Sequence, residues 1–348
     1  MDNVLLIIFS IFFILQYVRG FDFEKREFQS EASLDQLYER WMKHYSVERI
    51  PGSVEREERF NVFKDTVMFV HETKNIPYNL KLNKFADMTF KEFSNIYANC
   101  NSGYDKEASP NASGRFMYEN VTQLSDSFDW REEGAVSPVK DQKECSVEGI
   151  SQIKTKTPII PLSAQELVDC VTNKKNGCEG GFMDRAFDFI TRNGGITTEQ
   201  NYPYKGLDEN CQTPKKSDAT IDWYEKVPKN EDALLKAVAN QPVSVAIDAD
   251  NPDFMTYTGG VYNGTCGKNL SHAMTVVGYG SDSNQTKFWI VKNSYGVGWG
   301  EAGYIRMERG IKDHEGLCGI AMDAWYPIKY KFRNPFASID EDHVKDEL

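Results

Sequence analysis

Beyond its first twenty residues the sequence has no apolar run long enough to span a bilayer, no internal repeat and no long low-complexity tract. Positive charge is outweighed: 40 Lys and Arg stand against 52 Asp and Glu, for a formal net charge of −12. The first absences exclude a multi-span membrane protein and a repeat solenoid. The charge balance argues against nucleic acid or an anionic membrane as partner, since both select a basic surface. No histidine adjoins any of the seven cysteines, so a metal site has little support. What remains is 348 residues with 40% hydrophobic and 26% charged content, which suits a soluble chain of two or three folded units.

Both ends read as addresses. Residues 1–20 resemble a signal peptide, with apolar Val4–Leu15 followed by Val18-Arg-Gly20 as a cleavage point; an uncleaved anchor is the alternative. Lys345-Asp-Glu-Leu348 is an ER-retrieval signal, read by a receptor only at the extreme C-terminus. Asn-x-Ser/Thr sites at Asn111, Asn120, Asn263, Asn269 and Asn284 are glycosylation candidates and suit a lumenal protein. In that oxidising compartment the cysteines read first as disulfide partners, with the connectivity open.

Leu34, Leu37, Tyr38, Trp41, Met42 and Tyr45 recur at helical spacing, and Ser33 with Gln36 suggests the capping box that starts this helix. Pro51-Gly52 breaks the pattern. A second helix carries Phe60, Phe63, Val67 and Val70, with Glu55, Glu57 and Glu58 near its positive end. Residues 99–123 are polar and hold Gly103, Pro110, Gly114 and two glycosylation sites, which predicts an exposed, cleavable linker. Phe182, Ala186, Phe189 and Ile190 mark a helix closed by Gly194-Gly195, and Asn230 caps another. Strand-like runs follow at Val243–Ile247, Ala273–Tyr279, Phe288–Lys292 and Tyr304–Met307. Helices first and strands later predict an α+β architecture.

Several ordered motifs resemble the papain-like cysteine protease family. Glu55, Arg59, Phe63 and Val70 fall on the propeptide helix signature of that family, with Thr66 and Lys74 departing from it. Asn83-x-Phe85-x-Asp87 resembles its second propeptide motif. Leu270-Ser-His-Ala-Met-Thr-Val-Val-Gly-Tyr-Gly280 resembles the histidine motif, and Trp289-Ile-Val-Lys-Asn-Ser-Tyr-Gly-Val-Gly-Trp-Gly300 the asparagine motif, with Tyr295 where Trp is usual. The resemblance implies a helical lobe and a β-barrel lobe behind an inhibitory pro-segment. It places the signal peptide at 1–20, the propeptide at 21–123, the peptidase domain at 124–330 and the tail at 331–348.

Cysteine protease chemistry needs a thiolate made acidic by a helix N-terminus and an imidazolium, a ring-orienting side chain, and donors for the oxyanion. By resemblance His272 is the acid–base group, Asn293 orients it and Gln142 completes the oxyanion hole. The nucleophile is the missing part. Cys145 follows Gln142 by three residues, the place of a structural cysteine in the family, and Ser146 follows where a nucleophile has Trp or Tyr. The resemblance pairs Cys145 with Cys178, Cys170 with Cys211 and Cys266 with Cys318, leaving Cys100 in the pro-segment and no eighth cysteine. About ten residues, roughly three helical turns, are missing between Cys145 and Val147. Losing two or three large apolar side chains costs about 2–5 kcal/mol each, against a total stability of about 5–15 kcal/mol. The chain as written is therefore expected to be inactive, and a splice product or incomplete gene reading of an active endopeptidase is favoured. The alternative is a pseudoprotease acting as an ER-lumen binding or decoy protein.

Gly180, Gly181, Phe182, Met183, Ala246, Leu270 and Ala273 resemble the walls of the substrate cleft, and Asp323 stands at the base of the pocket for the substrate's second residue. A carboxylate there is expected to admit Arg or Lys beside apolar side chains, and the alternative is an Asp323 turned to solvent. No cofactor is implied; the partners expected are protein substrates, the chain's own propeptide and the retrieval receptor, with the chain a monomer. The plant KDEL-tailed branch of the family is the nearest resemblance. It implies residence in the ER or ER-derived vesicles, the vacuole or outside the cell, and bulk proteolysis during programmed cell death.

Overall fold

The structure, a computed structural model, describes residues 21–97, 116–139, 146–156, 158–171, 181–212 and 217–330. The signal region, Cys100, Asn111, Gln142, Cys145, Cys178, Gly180 and the KDEL tail lie outside the described residues. No helix among the described residues is long and apolar enough to cross a membrane.

The pro-segment is a small helical unit. Helix α1, Glu31–Tyr45, turns Leu37, Tyr38, Trp41 and Met42 inward, and α2, Val54–Glu72, answers with Phe60, Phe63 and Val67. The N-cap of α1 is Ser30 rather than Ser33: Ser30 Oγ accepts from Ser33 N, and Ser33 Oγ accepts in return from Ser30 N at 3.0 Å. A Ser–Ser pair can close the box reciprocally, which starts the helix one turn earlier than the Glu/Gln form of the motif suggests. After α2 come strand β1, Tyr78–Leu80, and helix α3, Phe90–Tyr97.

The second propeptide motif is the joint between these parts. Buried Asp87 accepts from Tyr38 Oη at 3.0 Å and from Arg49 Nη2 at 3.1 Å, tying α1 to the turn before α3. Asn83 Nδ2 reaches outward instead, donating to Met255 O at 2.7 Å. Arg59 on α2 holds Glu92 on α3 through both carboxylate oxygens, at 2.8 and 2.9 Å.

The rest of the chain adds β2 (Phe128–Asp129), α4 (Ser146–Thr155), α5 (Ala164–Cys170), α6 (Met183–Arg192), β3 (Trp223–Lys226) and α7 (Glu231–Val238). It continues with β4 (Val243–Ile247), α8 (Pro252–Thr256), β5 (Tyr257–Tyr262), β6 (His272–Ser281), β7 (Lys287–Lys292), β8 (Tyr304–Glu308) and β9 (Ala324–Ile328). The strands order as β1-β5-β8-β7-β6-β4-β9-β3, with β2 paired to β6. This is an α+β protein with an N-terminal propeptide unit. Its helical lobe has its own apolar cluster around Met183, Phe187, Ile190 and Leu270; the sheet's core includes Val243, Val276, Trp289 and Ile305.

The pro-segment joins the larger domain by strand addition. β1 pairs antiparallel with β5 through Tyr78 and Gly260, which extends the sheet by one edge strand. Gly260 sits at φ +87°, and a Cβ there would come within 2.8 Å of Tyr78 Cα, so only glycine lets the two backbones approach. Lys81 N donates to Thr256 O at 3.0 Å and Ser94 Oγ to Asp250 Oδ1 at 2.8 Å. The Tyr78 hydroxyl donates to the Asp253 carboxylate.

One segment departs from the linker reading. Residues 116–119 dock on the β3–β9 edge, with the Phe116 and Tyr118 rings against Tyr326, Met117 N donating to buried Glu225 at 3.1 Å, and Tyr118 Oη donating to Gln241 at 2.8 Å. The aromatic residues in this polar stretch find an apolar partner that composition alone does not reveal. The disulfides Cys170–Cys211 and Cys266–Cys318 form as expected.

Candidate active site

His272 opens β6, and the ladder that fixes β6 fixes the imidazole. Its backbone faces Ile247 of β4 on one side, while β7 pairs along the other side as far as Lys292. Asn293 is the next residue after β7, and Asn293 N donates to Gly303 O at 2.9 Å, which anchors the turn. The two side chains meet there: His272 Nε2 and Asn293 Oδ1 are 2.8 Å apart, and both residues are buried. Ser294 N donates to the same Oδ1 at 2.7 Å. That second donor fixes the amide orientation, so the oxygen faces the ring and Nε2 carries the proton. In a neutral ring of that tautomer, Nδ1 is the basic nitrogen. An imidazole held in one tautomer, with its second nitrogen basic, is suited to proton exchange with a thiol.

Aromatic rings cover the pair. Tyr295 stacks on His272 with centroids 4.8 Å apart and planes at 25°, and Phe254 meets the ring edge-on at 6.4 Å. Trp299 packs behind Tyr295 at 5.4 Å and donates through Nε1 to Phe254 O at 3.0 Å. Excluding water from the His–Asn bond strengthens it, because the competing solvent is absent.

On the opposite lobe, α4 begins at Ser146, directly after Cys145. Its Gly149 lies so close to the domain that a Cβ would meet Pro242 Cγ at 2.7 Å and Ala135 O at 2.8 Å. Helix α4 is thus seated tightly at this point. Gln142, the expected oxyanion donor, and the Cys145–Cys178 pairing lie outside the described residues.

Of the expected cleft residues, Met183, Ala246 and Leu270 are buried in one cluster with Trp325 beside Met322. Phe182 stands at the N-cap of α6 with the Arg185 guanidinium 4.4 Å above its ring. Gly181 is exposed, Ala273 is half-buried, and Gly180 lies outside the described residues. Asp323 is not a bare carboxylate: Lys226 Nζ lies 2.6 Å from Oδ1, and Trp325 Nε1 donates to the same oxygen at 3.0 Å. Lys226 also sits 4.9 Å over the Trp325 ring. Burial, with Asp323 nearby, pushes the Asp184 carboxyl above its ordinary range. Lys226 escaped the sequence reading because its strand is four residues long and only the fold brings it to Asp323. The four described glycosylation candidates, Asn120, Asn263, Asn269 and Asn284, are all exposed.

Comparison with known proteins agrees with this geometry. Residues 124–328 match the papain family cysteine protease description, and residues 38–93 match the cathepsin propeptide inhibitor domain (I29). Vignain from Ricinus communis is 50% identical over 365 residues, covering all of both chains. The KDEL-tailed cysteine endopeptidase CEP2 from Arabidopsis thaliana is also 50% identical, over 367 residues and all of both chains. Among solved structures, the proform of the ragweed pollen cysteine protease Amb a 11 superposes with a TM-score of 0.82 at 41% identity, covering 90% of this chain and 99% of that one. A recombinant stem bromelain precursor gives 0.75 at 39% identity, covering 85% and 98%. With its own propeptide as inhibitor, this chain belongs to the papain family of cysteine proteases.

Proposed function

We propose that this chain is the precursor form of an endopeptidase whose nucleophile-bearing helix start has been lost, so that it binds and folds like a zymogen but does not hydrolyse peptides. The observation that carries the reading is the intact His272–Asn293 pair at 2.8 Å, in a chain whose helix α4 starts at Ser146 with no cysteine along it. The pairing with the Ricinus relative supports it: 365 aligned positions exceed this chain's 348 residues, so the alignment carries gaps on this side. A transcript that skips the codons after Cys145 is the favoured origin, because a protein selected as a decoy has no reason to shed three helical turns from its core.

Two measurements test this. Sequencing the transcript across Gln142–Glu148 is expected to return the longer segment; an uninterrupted match to the present sequence overturns the splice origin. Purified chain with the pro-segment removed is expected to show no thiol-dependent hydrolysis, while a form with the segment restored does. Hydrolysis by the chain as written would sink the reading. The second reading, an ER-lumen binding protein, rests on the well-formed pro-segment and cleft, and binding of a cysteine-protease inhibitor protein without hydrolysis favours it.

The rest of the reading follows the address signals. Residues 1–20 direct entry to the secretory pathway, and Lys345–Leu348 engage the retrieval receptor. The peptidase domain occupies 124–330 and is a monomer, protein substrates belong to the form with the segment restored, and the chain carries glycans at some of its five candidate sites. The name of the Arabidopsis relative, KDEL-tailed, supports residence in the ER or vesicles derived from it. The cleft accepts an apolar second residue, because Lys226 already neutralises Asp323.

A further inference from the structure

Tyr295 touches the catalytic pair and the pro-segment at once. One face of its ring lies on His272, at 4.8 Å. Its hydroxyl donates to the main-chain carbonyl of Tyr97, in the last described turn of α3, at 2.9 Å. The pro-segment rings of Phe85, Phe93 and Tyr97 meet it edge-on, at 5.9, 5.5 and 5.2 Å. From the peptidase domain, Trp299 and Phe254 pack against it at 5.4 and 6.4 Å.

We propose that Tyr295 is a positioning residue that couples pro-segment docking to the placement of the His272 ring, which deepens the reading of His272–Asn293 as catalytic apparatus and rests on it. Three aromatic edges and one hydrogen bond hold the phenol in place from the pro-segment side, and three rings, those of His272, Trp299 and Phe254, hold it from the domain side. Removing the pro-segment takes away the larger share. The phenol that covers the Nε2–Asn293 bond then gains freedom, and the imidazole loses a fixed wall on that face. The hydroxyl is what makes this a latch. A tryptophan, which the resemblance gives as usual here, would stack on His272 but has no para-oxygen to reach the Tyr97 carbonyl. In this chain the pro-segment therefore grips the shield of His272 directly.

The test uses the full chain with two variants and two readouts. Tyr295→Phe deletes the hydroxyl and keeps the ring. Tyr97→Ala leaves the peptidase domain's sequence untouched. Amide hydrogen exchange is followed along α3, and the imidazole nitrogen signals of His272 are read by NMR, assigned against His272→Gln. Tyr295→Phe is expected to speed α3 exchange about fivefold, the weight of one net hydrogen bond. Both variants are expected to shift the His272 signals. Unmoved His272 signals in both variants, or unchanged α3 exchange in Tyr295→Phe, overturns the coupling, since a merely structural contact within the pro-segment would not alter an imidazole in the other domain. Should Tyr295→Phe not fold, Tyr97→Ala carries the imidazole readout alone. Neither readout needs a nucleophile, so a negative result leaves the peptidase reading standing. Failure of the segment-restored form to hydrolyse peptides likewise leaves the coupling standing.

Discussion

Lys226 and Asp323 form an ion pair at 2.6 Å, and the sheet register brings the two side chains together. β3 runs antiparallel to β9 with Lys226 opposite Trp325, so the lysine reaches across its neighbour's indole to the carboxylate two residues earlier. In the proposed pocket a substrate cation competes with Lys226 for Asp323, which favours an apolar side chain there.

Removing the lysine is expected to reverse this. In a form with the missing segment restored, Lys226→Met should raise the ratio of kcat/KM for Arg over Leu at the second substrate position about tenfold. That corresponds to about 1.4 kcal/mol of recovered charge pairing in a half-buried site. Asp323→Ala added to Lys226→Met should cancel the gain. An unchanged ratio in Lys226→Met would remove Asp323 from specificity altogether.

The Arg59–Glu92 clamp sets a limit on acid release of the pro-segment. Hydrogen bonds from Arg59 hold the Glu92 carboxyl down at about 2. A folded pKa below the unfolded one contributes stability that is fully present above the ordinary glutamate range and is lost progressively as pH falls from that range through about 2. The clamp's contribution is therefore only partly lost at pH 4–5. Glu92→Gln should lower the thermal midpoint of the pro-segment most at pH 7 and by a smaller amount at pH 4; a deficit that has already vanished at pH 5 would contradict the assignment.

Glu166 works in the opposite direction. It is fully buried, accepts from Thr197 N at 2.8 Å, and its carboxyl is raised chiefly by burial. A folded pKa above the unfolded one means that the folded state takes up a proton the unfolded state leaves in solution. Stability then rises as pH falls from neutral through the folded pKa, and levels off below the ordinary glutamate range. Urea unfolding should show the full chain gaining stability between pH 7 and pH 5, and Glu166→Gln gaining less. Equal gains in the two proteins would assign the effect to other groups, with buried Glu231, also raised by burial, next in line.

Much of this was legible in the chain because the motifs are local. Asn230 caps its helix through a bond from Ala233 N at 2.8 Å, and Gly194 and Gly195 close α6 at positive φ, as their residue types dictate. The motif spacings located His272 at the head of a strand and Asn293 just beyond another. What escaped was either short or non-local. No strand-like run marks β1, β2, β3, β5 or β9: Trp223–Lys226 is too brief to show alternation, β1 and β2 are shorter still, and β9 is buried along its whole length, so no polar face marks its period. Lys226 and the Tyr97–Tyr295 bond depend on register between distant segments, which no window of sequence contains.

The docked strap at 116–119 gives the last prediction. Sequence composition places these residues in a cleavable linker, yet Met117 N and the Tyr326 hydroxyl both donate to the buried Glu225 carboxylate, and Lys236 Nζ donates to Glu119 O at 2.8 Å. Pulling the strap away would take one donor from that carboxylate, and a hydrogen bond to a charged group is worth about 1.5–3 kcal/mol. Re-exposing the Phe116 and Tyr118 rings adds to that cost. Chymotrypsin, whose preferred bonds follow aromatic residues, is therefore expected to leave Phe116 and Tyr118 uncut while the chain is folded. Tyr118→Ala removes the ring on Tyr326 and the bond to Gln241, and should lower stability by about 1–3 kcal/mol and open the Phe116 bond to cleavage. Rapid cutting at Phe116 in the unmodified folded chain would show that the strap does not hold, and would return residues 116–119 to the linker.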